Sequence, residues 1–349
     1  MSQTCAGVTV RALQPQDVAA WDRFVLKMDQ ATFFHRSGWK QVLEEAFGHK
    51  TYYLLAEADG VIVGVLPLGR IHSLLFGDAL ISTPFCVYGG IVAVDGAVAM
   101  VLEQEAVSLA HRLGVDHLEM RATAPVHPQW LTKDLYCTFK KTIFPDADAN
   151  LRAIPRKQRA EVRRGISKGL TGMVDHAVET ICYDIYSESV RNLGTPVFPR
   201  RFFSVLKKVF GADCDALVIR QQKRPVAAVL NFYFRDQVLP YYGGSIAEGR
   251  ELGATPFMYY DLMNRAAGER GVRVFDFGRS KVGSGPYDFK RYFGFEPQAL
   301  HYAFHLVRGT DMPNISPNNP KYQMFIRLWK TLPLGLSRRL GPMLAKNLG

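Results

Sequence analysis

The segment from Asp276 to Pro297 carries the highest density of side chains that could bind or polarise an anionic substrate. Its cations are interleaved with aromatic residues around a flexible Gly283-Ser284-Gly285 loop. The cations are Arg279, Lys281, Lys290 and Arg291, and the aromatic residues are Tyr287, Phe289, Tyr292, Phe293 and Phe295. A cation here could bind a substrate phosphate or stabilise the oxyanion of a tetrahedral intermediate. The alternative is a solvated loop whose aromatic side chains pack on a sheet.

The turn Gly249–Ala254, which reads Gly-Arg-Glu-Leu-Gly-Ala, is a second candidate site because it precedes a predicted helix. Backbone N–H groups at a helix N-terminus can hold phosphate oxygens. The turn resembles the pyrophosphate loop of GNAT acyltransferases, with Thr255 in place of the last small residue. If acyl-CoA is the donor, we expect Arg250, Gly253 and Ala254 to bind it. An ordinary strand-to-helix turn is the alternative interpretation.

Metal and covalent chemistry find little support in the residue pattern. His301 and His305 would share one face of a strand, but no third ligand is evident, so no metal site is predicted. The sequence contains no Gly-x-Ser-x-Gly element, and Cys86 lies in an apolar run. We therefore expect direct transfer of an acyl group to a bound amine or hydroxyl, with no tightly bound cofactor.

The elements that must position these residues occur twice in the same order. Each series has two β-rich runs around a turn, a strand-like run with Tyr-Gly-Gly, a helix, a closing glycine and a final apolar run. In the first series these landmarks are the Asp59-Gly60 turn, Tyr88-Gly89-Gly90, the helix Ala97–Leu113, Gly114 and Val115–Met120. In the second they are the Lys223-Arg224-Pro225 turn, Tyr242-Gly243-Gly244, the helix from about Thr255 to Arg270, Gly271 and Val272–Phe277. The order predicts a tandem duplication of one α/β unit with mixed antiparallel and parallel strands.

The duplication sets the expected domain limits. We expect a first domain over residues 1–150, a second over 151–310, and a linker with a basic tail over 311–349. Asp311–Pro320 contains three prolines and three asparagines, which is typical of a linker.

The positive charge of the chain is concentrated in two segments. The formal net charge is +11 over 349 residues. Residues 151–168 carry a net +6, and residues 321–349 carry another +6 with no acid, so the rest of the chain is nearly neutral. Such segments predict contact with anionic partners. In the tail, Leu336, Leu340, Met343 and Leu344 fall at helical spacing, and this face could dock on the protein itself or on an anionic membrane.

Composition and targeting signals predict a cytoplasmic protein, either free or peripheral at the inner face of the cytoplasmic membrane. The chain is 48% hydrophobic and 21% charged, which excludes wholesale disorder. Its longest uncharged apolar run, residues 79–94, is too short to span a membrane and contains Pro84. The five cysteines are scattered, which suggests buried thiols in a reducing compartment.

Four elements together resemble the FemAB family. They are His35-Arg36-Ser37-Gly38-Trp39-Lys40, Tyr88-Gly89-Gly90, Ile154-Pro155-Arg156-Lys157-Gln158-Arg159, and Asp288-Phe289-Lys290-Arg291-Tyr292-Phe293-Gly294-Phe295. That family has two GNAT-like domains in tandem. The tail, with Asn319-Pro320-Lys321, Leu328-Trp329-Lys330, Leu332-Pro333-Leu334 and Asn347-Leu348-Gly349, looks like the branch associated with exosortase/PEP-CTERM systems.

The resemblance implies a chemistry. Characterised FemAB members move an amino acid from aminoacyl-tRNA onto an amine of a peptidoglycan precursor. By position, Lys290 matches a family lysine near the reacting carbonyl and would stabilise the oxyanion. Tyr88 and Tyr242 match tyrosines that line the acceptor site.

The same resemblance implies contacts with the substrate phosphates. Arg159 matches a phosphate-binding arginine, and Arg163 stands where the family has a tyrosine. Lys40 lies next to a family substrate lysine. We add Arg279, Lys281 and Tyr292 as expected substrate contacts because of their place beside Lys290.

Three functions stay open. The leading one is an aminoacyl- or acyltransferase acting on a phosphate-bearing cell-envelope or exopolysaccharide precursor. The second is a GNAT-type N-acyltransferase that uses acyl-CoA. The third is a non-catalytic peripheral membrane or RNA-binding protein on a transferase scaffold.

Overall fold

The structure is a computed structural model that describes residues 7–73, 77–125, 127–309 and 320–348. The helices in chain order are α1 (Val18–Lys27), α2 (Gly38–Phe47), α3 (Gly96–Leu113), α4 (Ala147–Ala153), α5 (Arg156–Ser167), α6 (Ile181–Leu193), α7 (Arg200–Phe210), α8 (Ala247–Glu251), α9 (Ala254–Arg270), α10 (Gly285–Tyr292), α11 (Pro320–Thr331) and α12 (Leu334–Ala345). The strands in chain order are β1 (Val8–Ala12), β2 (Leu54–Ala58), β3 (Val61–Leu66), β4 (Gly69–Ser73), β5 (Gly77–Ser82), β6 (Val92–Ala93), β7 (His117–Ala122), β8 (Leu131–Lys133), β9 (Tyr136–Thr142), β10 (Leu170–Asp175), β11 (Cys214–Gln221), β12 (Arg224–Phe234), β13 (Gln237–Ser245), β14 (Val274–Asp276), β15 (Ser280–Lys281), β16 (Pro297–Ala299) and β17 (His301–Leu306).

The chain forms two compact units, and each is built from segments that are separate in the sequence. The first unit comprises Met1–Asp134, Ala299–Ile315 and Lys346–Gly349, and the second comprises Leu135–Gln298 and Ser316–Ala345. β9 pairs with β14 and so belongs to the second unit, whereas β17 pairs with β7 and β8 of the first. The domain limits at residues 150 and 310 stay a prediction. The limits of the two compact units differ from these predicted limits. A strand joins a sheet by tertiary pairing, and local sequence does not show which sheet it will join.

The first unit contains two sheets. One has the order β1-β2-β3-β6 and the other the order β4-β5-β7-β17-β8. The predicted hairpin at Asp59-Gly60 joins β2 to β3, and both turn residues have positive φ, as the tight turns of hairpins require. α3 ends at Gly114 in the left-handed conformation, and β7 then pairs in parallel with β5. The helix, glycine and strand predicted here are therefore confirmed.

The second unit is built on one sheet with the order β10-β11-β12-β13-β14-β9-β15, and β16 pairs with β9. β10 to β13 are antiparallel, and β14, which follows α9 and Gly271, is parallel to β13. The hairpin turn lies at Gln222-Lys223, because Pro225 has already entered β12 opposite Arg220 at a register shift. A proline without an N–H is tolerated at such an irregularity.

The two Tyr-Gly-Gly elements do not occupy equivalent positions, which corrects the sequence analysis. Tyr242-Gly243-Gly244 lies within β13, the strand parallel to β14. In the first unit the strand parallel to β7 is β5, which ends at Ser82, and residues 83–91 form an irregular segment after it. Both units keep the repeated order of elements, but the Tyr-Gly-Gly tripeptide does not lie at equivalent positions in them.

The tail forms the helices α11 and α12, which pack on α6 within the second unit. Trp329 is buried, and a Cβ at Gly341 would lie 2.7–2.9 Å from three atoms of Val197. Arg338 Nε donates to Ser187 Oγ at 2.9 Å. α12 contains Pro342 and continues through it. The linker predicted over residues 311–320 lies outside the described residues except at Pro320, the first residue of α11.

Two further sequence expectations can be compared with the structure. The described cysteines Cys86, Cys137, Cys182 and Cys214 are buried thiols that form no disulfide. Among the helices in the described ranges, none is both long enough and apolar enough to cross a membrane.

Candidate functional site

The parallel strands β13 and β14 of the second unit pair over only two residues. Gln237 lies opposite Val274, and Val238 lies opposite Phe275. β13 then continues for seven residues to Ser245, while the chain after β14 follows β9. The strands therefore separate beyond Val238, and we call this place the strand divergence. Separation at the carboxyl ends of parallel strands is where α/β proteins place ligands.

The chain beside the strand divergence forms a bulge between β14 and β15, made of Phe277, Gly278 and Arg279. Phe277 N donates to Phe139 O at 2.8 Å, which keeps the bulge attached to β9. Gly278 has a φ of +65°, a conformation that favours glycine, and its N–H donates to Asp276 Oδ1 at 2.8 Å. The bulge turns the carbonyl oxygens of all three residues towards one side chain.

That side chain is Lys290, which stands on the short helix α10. Ser284 caps the helix by accepting from Tyr287 N, so the Ser284-Gly285-Pro286 sequence sets where it begins. Lys290 Nζ donates to Phe277 O at 2.8 Å and to Gly278 O and Arg279 O at 3.0 Å each. The residue is only 9% exposed. The predicted catalytic lysine is therefore buried at the strand divergence, with its three hydrogens directed at backbone carbonyls.

The environment of Lys290 sets its protonation state. Burial lowers the pKa of its ammonium to about 8, although the nearby Asp276 carboxylate opposes this shift. Three carbonyl acceptors also favour the charged form. At neutral pH Lys290 is therefore mainly a cation, and it could serve a developing oxyanion only by releasing one of the bulge carbonyls. The catalytic role of Lys290 stays a prediction, whereas its three hydrogen bonds to the carbonyl oxygens of the bulge are observed.

Asp276 is the site residue that the sequence analysis did not select. It is 1% exposed, and its Oδ2 lies 3.3 Å from Lys140 Nζ. With its bond to Gly278 N, this carboxylate fixes the start of the bulge. The signal was available in the sequence, because an aspartate two residues before a glycine stands near the end of the predicted strand Val272–Phe277.

The other predicted substrate contacts of this segment are neighbours of Lys290 along the chain. The Arg279 guanidinium stacks over Tyr136, with 4.8 Å from Cζ to the ring centroid. Lys281 lies in β15, and its carbonyl accepts from Ser284 Oγ at 2.7 Å. Tyr292 ends α10 and is 57% exposed. The neighbouring aromatic residues Phe289, Phe293 and Phe295 pack on the sheet, as the alternative interpretation of the segment proposed.

Tyr242 lies in an aromatic cluster beneath α6 and α7. Its ring centroid is 5.5 Å from that of Phe202 and 5.7 Å from those of Tyr186 and Phe203. The residue is 8% exposed. Its place in β13 agrees with the sequence analysis, but its ring is used in packing, and contact with an acceptor stays a prediction.

The two predicted arginines of α5 are used differently. The Arg159 guanidinium donates to Ile154 O from both Nε and Nη2 and to Arg152 O at 2.8 Å, so it closes the C-terminal end of α4. Arg163 is exposed. Of the two, Arg163 is therefore in the better position to meet a phosphate, although the resemblance favoured Arg159.

The turn before α9 is largely covered by α5. Gly253 has a φ of +73°, and a Cβ there would lie 2.8 Å from Glu161 O. Ala254 is fully buried, whereas Arg250 is exposed on α8. Pro256, in the first turn of α9, has no N–H to offer. The glycine of this pattern serves the close approach of two helices, which does not favour pyrophosphate binding at the turn.

The first unit contains the two remaining predicted contacts. Lys40 forms an ion pair with Glu44 one turn along α2. Tyr88 is 1% exposed, and its ring lies 5.9 Å from that of Phe34. The ring is part of the core in this conformation, and contact of Tyr88 with an acceptor stays a prediction.

The segment from Thr83 to Gly90 occupies the space after the parallel strands of the first unit. Gly89 N donates to Arg121 O at 2.8 Å, and Arg121 Nη1 donates to Cys86 O at 2.9 Å. Arg121 is 2% exposed and pairs with Glu119 at 2.8 Å. The place equivalent to the strand divergence is therefore filled in the first unit, which leaves the second unit as the better candidate for chemistry.

Metal ligation has no counterpart in the described part of the chain. His301 and His305 share β17, and the described residues contain no group of three His, Cys, Asp or Glu side chains placed to hold a metal ion.

A comparison with protein families matches part of the second unit. Residues 156–291 match the sequence model of the acetyltransferase (GNAT) domain, and the match contains the strand divergence and Lys290. No curated protein matches the chain in sequence.

Two solved structures are similar in fold over most of the chain. FemX has a TM-score of 0.65 at 14% identity, covering 91% of this chain and 100% of FemX. A tandem GNAT protein from the clavulanic acid biosynthesis pathway has a TM-score of 0.53 at 12% identity, covering 87% of this chain and all of that chain. The chain therefore has the tandem GNAT fold, as predicted, and the domain match supports a GNAT-type acyltransferase activity.

Proposed function

We propose that this chain transfers an acyl or aminoacyl group to an amine or hydroxyl bound at the strand divergence of the second unit. The observation that carries the proposal is the early end of the β13–β14 pairing at Val238, inside the segment that matches the acetyltransferase domain. An extended, amide-bearing group beside β13 could form backbone hydrogen bonds in the manner of an added strand.

The proposed reaction needs no covalent protein intermediate. The acceptor nitrogen or oxygen attacks the carbonyl carbon of the donor ester or thioester, and the tetrahedral intermediate then expels the alcohol or thiol. The acceptor's proton is transferred to the leaving group or to water. Lys290 would stabilise the oxyanion after exchanging one bulge carbonyl for the substrate oxygen.

The basic face of α5 supports a polyanionic donor such as aminoacyl-tRNA. Its exposed cations are Arg156, Lys157, Arg163, Arg164 and Lys168. The burial of Gly253 and Ala254 weighs against CoA pyrophosphate at the turn before α9. Acyl-CoA is the second candidate, because the matched domain is that of acetyltransferases. As the acceptor we propose a phosphate-bearing precursor of the cell envelope or of an exopolysaccharide. Membership of this chain in the exosortase-associated branch is part of the same proposal.

A donor screen tests the choice. We expect charged tRNA to raise the thermal stability of the chain and to yield an aminoacylated product by mass spectrometry, while acetyl-CoA does neither. Reversing two charges in the variant Lys157→Glu/Arg163→Glu should weaken tRNA binding by about tenfold, with a reduced salt dependence.

The control is Lys223→Glu, at an exposed cation of the β11–β12 turn. It should leave tRNA binding within about twofold of the original chain. Stabilisation and product formation by acetyl-CoA alone would reject the tRNA donor and select the second candidate. Absence of product with either donor would favour a non-catalytic protein.

We further propose that the tail contacts an anionic membrane. α12 packs on the second unit through small residues, Ser337, Gly341 and Ala345, and therefore turns its larger apolar residues outward. Leu336 is 41% exposed and Leu340 is 38% exposed. The exposed cations Arg327, Lys330 and Arg339 accompany them, and residues 320–348 contain no acid. This pattern is typical of a helix that lies on a membrane surface.

Vesicle binding tests the tail. Deletion of the tail would remove the buried Trp329 and expose the surface that it covers. The variant Leu336→Glu/Leu340→Glu is preferable, because both leucine side chains are already exposed. We expect it to bind phosphatidylglycerol-containing vesicles at least tenfold more weakly, since two leucines and two added charges act together. Met173→Glu, at an exposed residue of β10, should bind as the original chain does. Equal losses in both variants would contradict a specific role of α12.

A further inference from the structure

A cavity of about 430 Å³ in the first unit is lined almost entirely by basic and polar side chains. Its walls come from the end of α2 and the residues after it, from β4, and from residues near the end of the chain. The lining residues are Phe47, Gly48, His49, Lys50, Arg70, His72, Lys346 and Asn347. We call it the basic cavity.

The charge of the basic cavity is one-sided. Lys50, Arg70 and Lys346 are cations, His49 and His72 can become cations, and none of the described residues that line the cavity is acidic. Lys50 and Lys346 are exposed to solvent, so their ammonium groups can reach a ligand in the cavity without breaking a buried contact. Walls of one sign raise the local concentration of ions of the opposite sign.

Arg70 is held in place by a carboxylate behind it. Its Nε donates to Asp78 Oδ1 at 2.8 Å, and its Nη2 donates to Asp78 Oδ2. His72 Nδ1 lies 3.0 Å from the same Oδ2. Asp78 N in turn donates to Asp116 Oδ2 at 2.9 Å. A guanidinium fixed in this way loses little conformational freedom when it binds an oxyanion.

His49 is fixed as well. Its Nε2 lies 2.8 Å from Lys346 O, which must accept a hydrogen, so Nε2 carries the proton. Its ring stacks on Phe85 at 5.7 Å between centroids, and Phe47 lies 4.6 Å from the same phenylalanine. The cavity thus combines two exposed lysines, an oriented guanidinium and an imidazole whose position is fixed.

We propose that the basic cavity binds a phosphate-type dianion, carried either by a soluble phosphorylated molecule or by a lipid headgroup. The lining itself holds three cations and no carboxylate, while Asp78 and Asp116 lie behind Arg70. Such a lining suits an anion with several oxygens that accept charged hydrogen bonds together, as a phosphate group does, better than a single carboxylate. The volume exceeds that of a bare phosphate and leaves room for the group that carries it. This inference does not depend on the transfer activity proposed above.

Calorimetric titration with inorganic phosphate, at a pH where the dianion predominates, tests the proposal on the full chain. We expect saturable binding to one site, weakened at least tenfold in Arg70→Gln and about threefold or more in Lys50→Ala, because charged hydrogen bonds are lost. Lys27→Ala removes an exposed cation at the end of α1, outside the cavity, and should bind within twofold of the original chain.

Two results would overturn the proposal: no saturable phosphate binding by the original chain, or an equal loss in Lys27→Ala and Lys50→Ala. Lys50 is exposed, so this comparison stands even if Arg70→Gln folds poorly. Two further ligands assign the source of the phosphate. Tighter binding of glycerol 3-phosphate than of short-chain phosphatidic acid identifies a soluble ligand, and the reverse order identifies a lipid headgroup.

Discussion

Replacing Lys290 by alanine should reduce transfer at least about 100-fold and also destabilise the second unit. The loss of a preorganised donor to a developing oxyanion accounts for the first effect. The second follows from the three carbonyl oxygens of Phe277, Gly278 and Arg279, which would lose their common donor in a buried place. Unpaired buried acceptors of this kind cost about 2–4 kcal/mol in total.

Two further variants separate these effects. Lys290→Met keeps the length and apolar stem of the side chain but removes its donors, so it should lose transfer and recover only part of the stability. Arg291→Ala removes a neighbouring cation of α10 that is exposed and does not donate to the bulge, and it should keep both properties. Turnover is measured at a temperature where circular dichroism shows each variant to be folded. Turnover of Lys290→Ala within threefold of the original chain would exclude the proposed site.

Gly89→Ala should be among the most destabilising single substitutions in the first unit. A Cβ at Gly89 would lie 2.0 Å from Ser82 O, 2.4 Å from Ser82 C and 2.6 Å from Thr83 N. All three are backbone atoms, which cannot move aside as a side chain can. The new methyl group must therefore push Gly89 away from the peptide between Ser82 and Thr83, which disturbs the hydrogen bond from Gly89 N to Arg121 O.

Gly89→Ala should lower the free energy of unfolding by more than about 4 kcal/mol, a loss that few single substitutions cause. Thermal unfolding should then begin roughly 8 °C or more below that of the original chain. Gly96→Ala is the matched control, because no neighbouring atom lies within 4 Å of the place that its new methyl group would take, and it stands in the first turn of α3. It should change stability by less than about 1 kcal/mol, in the stabilising direction. Equal melting temperatures for the two variants would contradict the packing described for Gly89.

The parts of the fold that depend on local sequence were predictable. The Asp59-Gly60 turn, the helices closed by Gly114 and Gly271, and the strands after them follow from positive-φ positions and hydrophobic periodicity. The position of Tyr88 was not predictable in this way. Its Tyr-Gly-Gly sequence equals that of β13, but its contacts with Phe34 and the Arg121 network are tertiary.

The candidate site shows the same limit. The position of Lys290 after a Gly-Ser-Gly loop, beyond the last predicted strand of the second series, could be read from the sequence, whereas the short helix α10 that carries it was not predicted. Its three carbonyl partners could not be inferred, because the bulge that supplies them arises from the register of β9 against β14 and β15. Gly253 illustrates the reverse case, since its sequence pattern suggested phosphate binding and its surroundings show helix packing.

The place of β17 bears on how the protein is made. β17 lies between β7 and β8 in the second sheet of the first unit, although it follows them in the chain by more than 160 residues. Ribosomes add about 5–20 residues per second, so β7 waits on the order of ten seconds or longer for its neighbour. During that time its edge is exposed to other nascent chains. The first unit therefore cannot complete its folding before most of the second has been synthesised, and its yield in the cell should depend on chaperones that shield a bare strand.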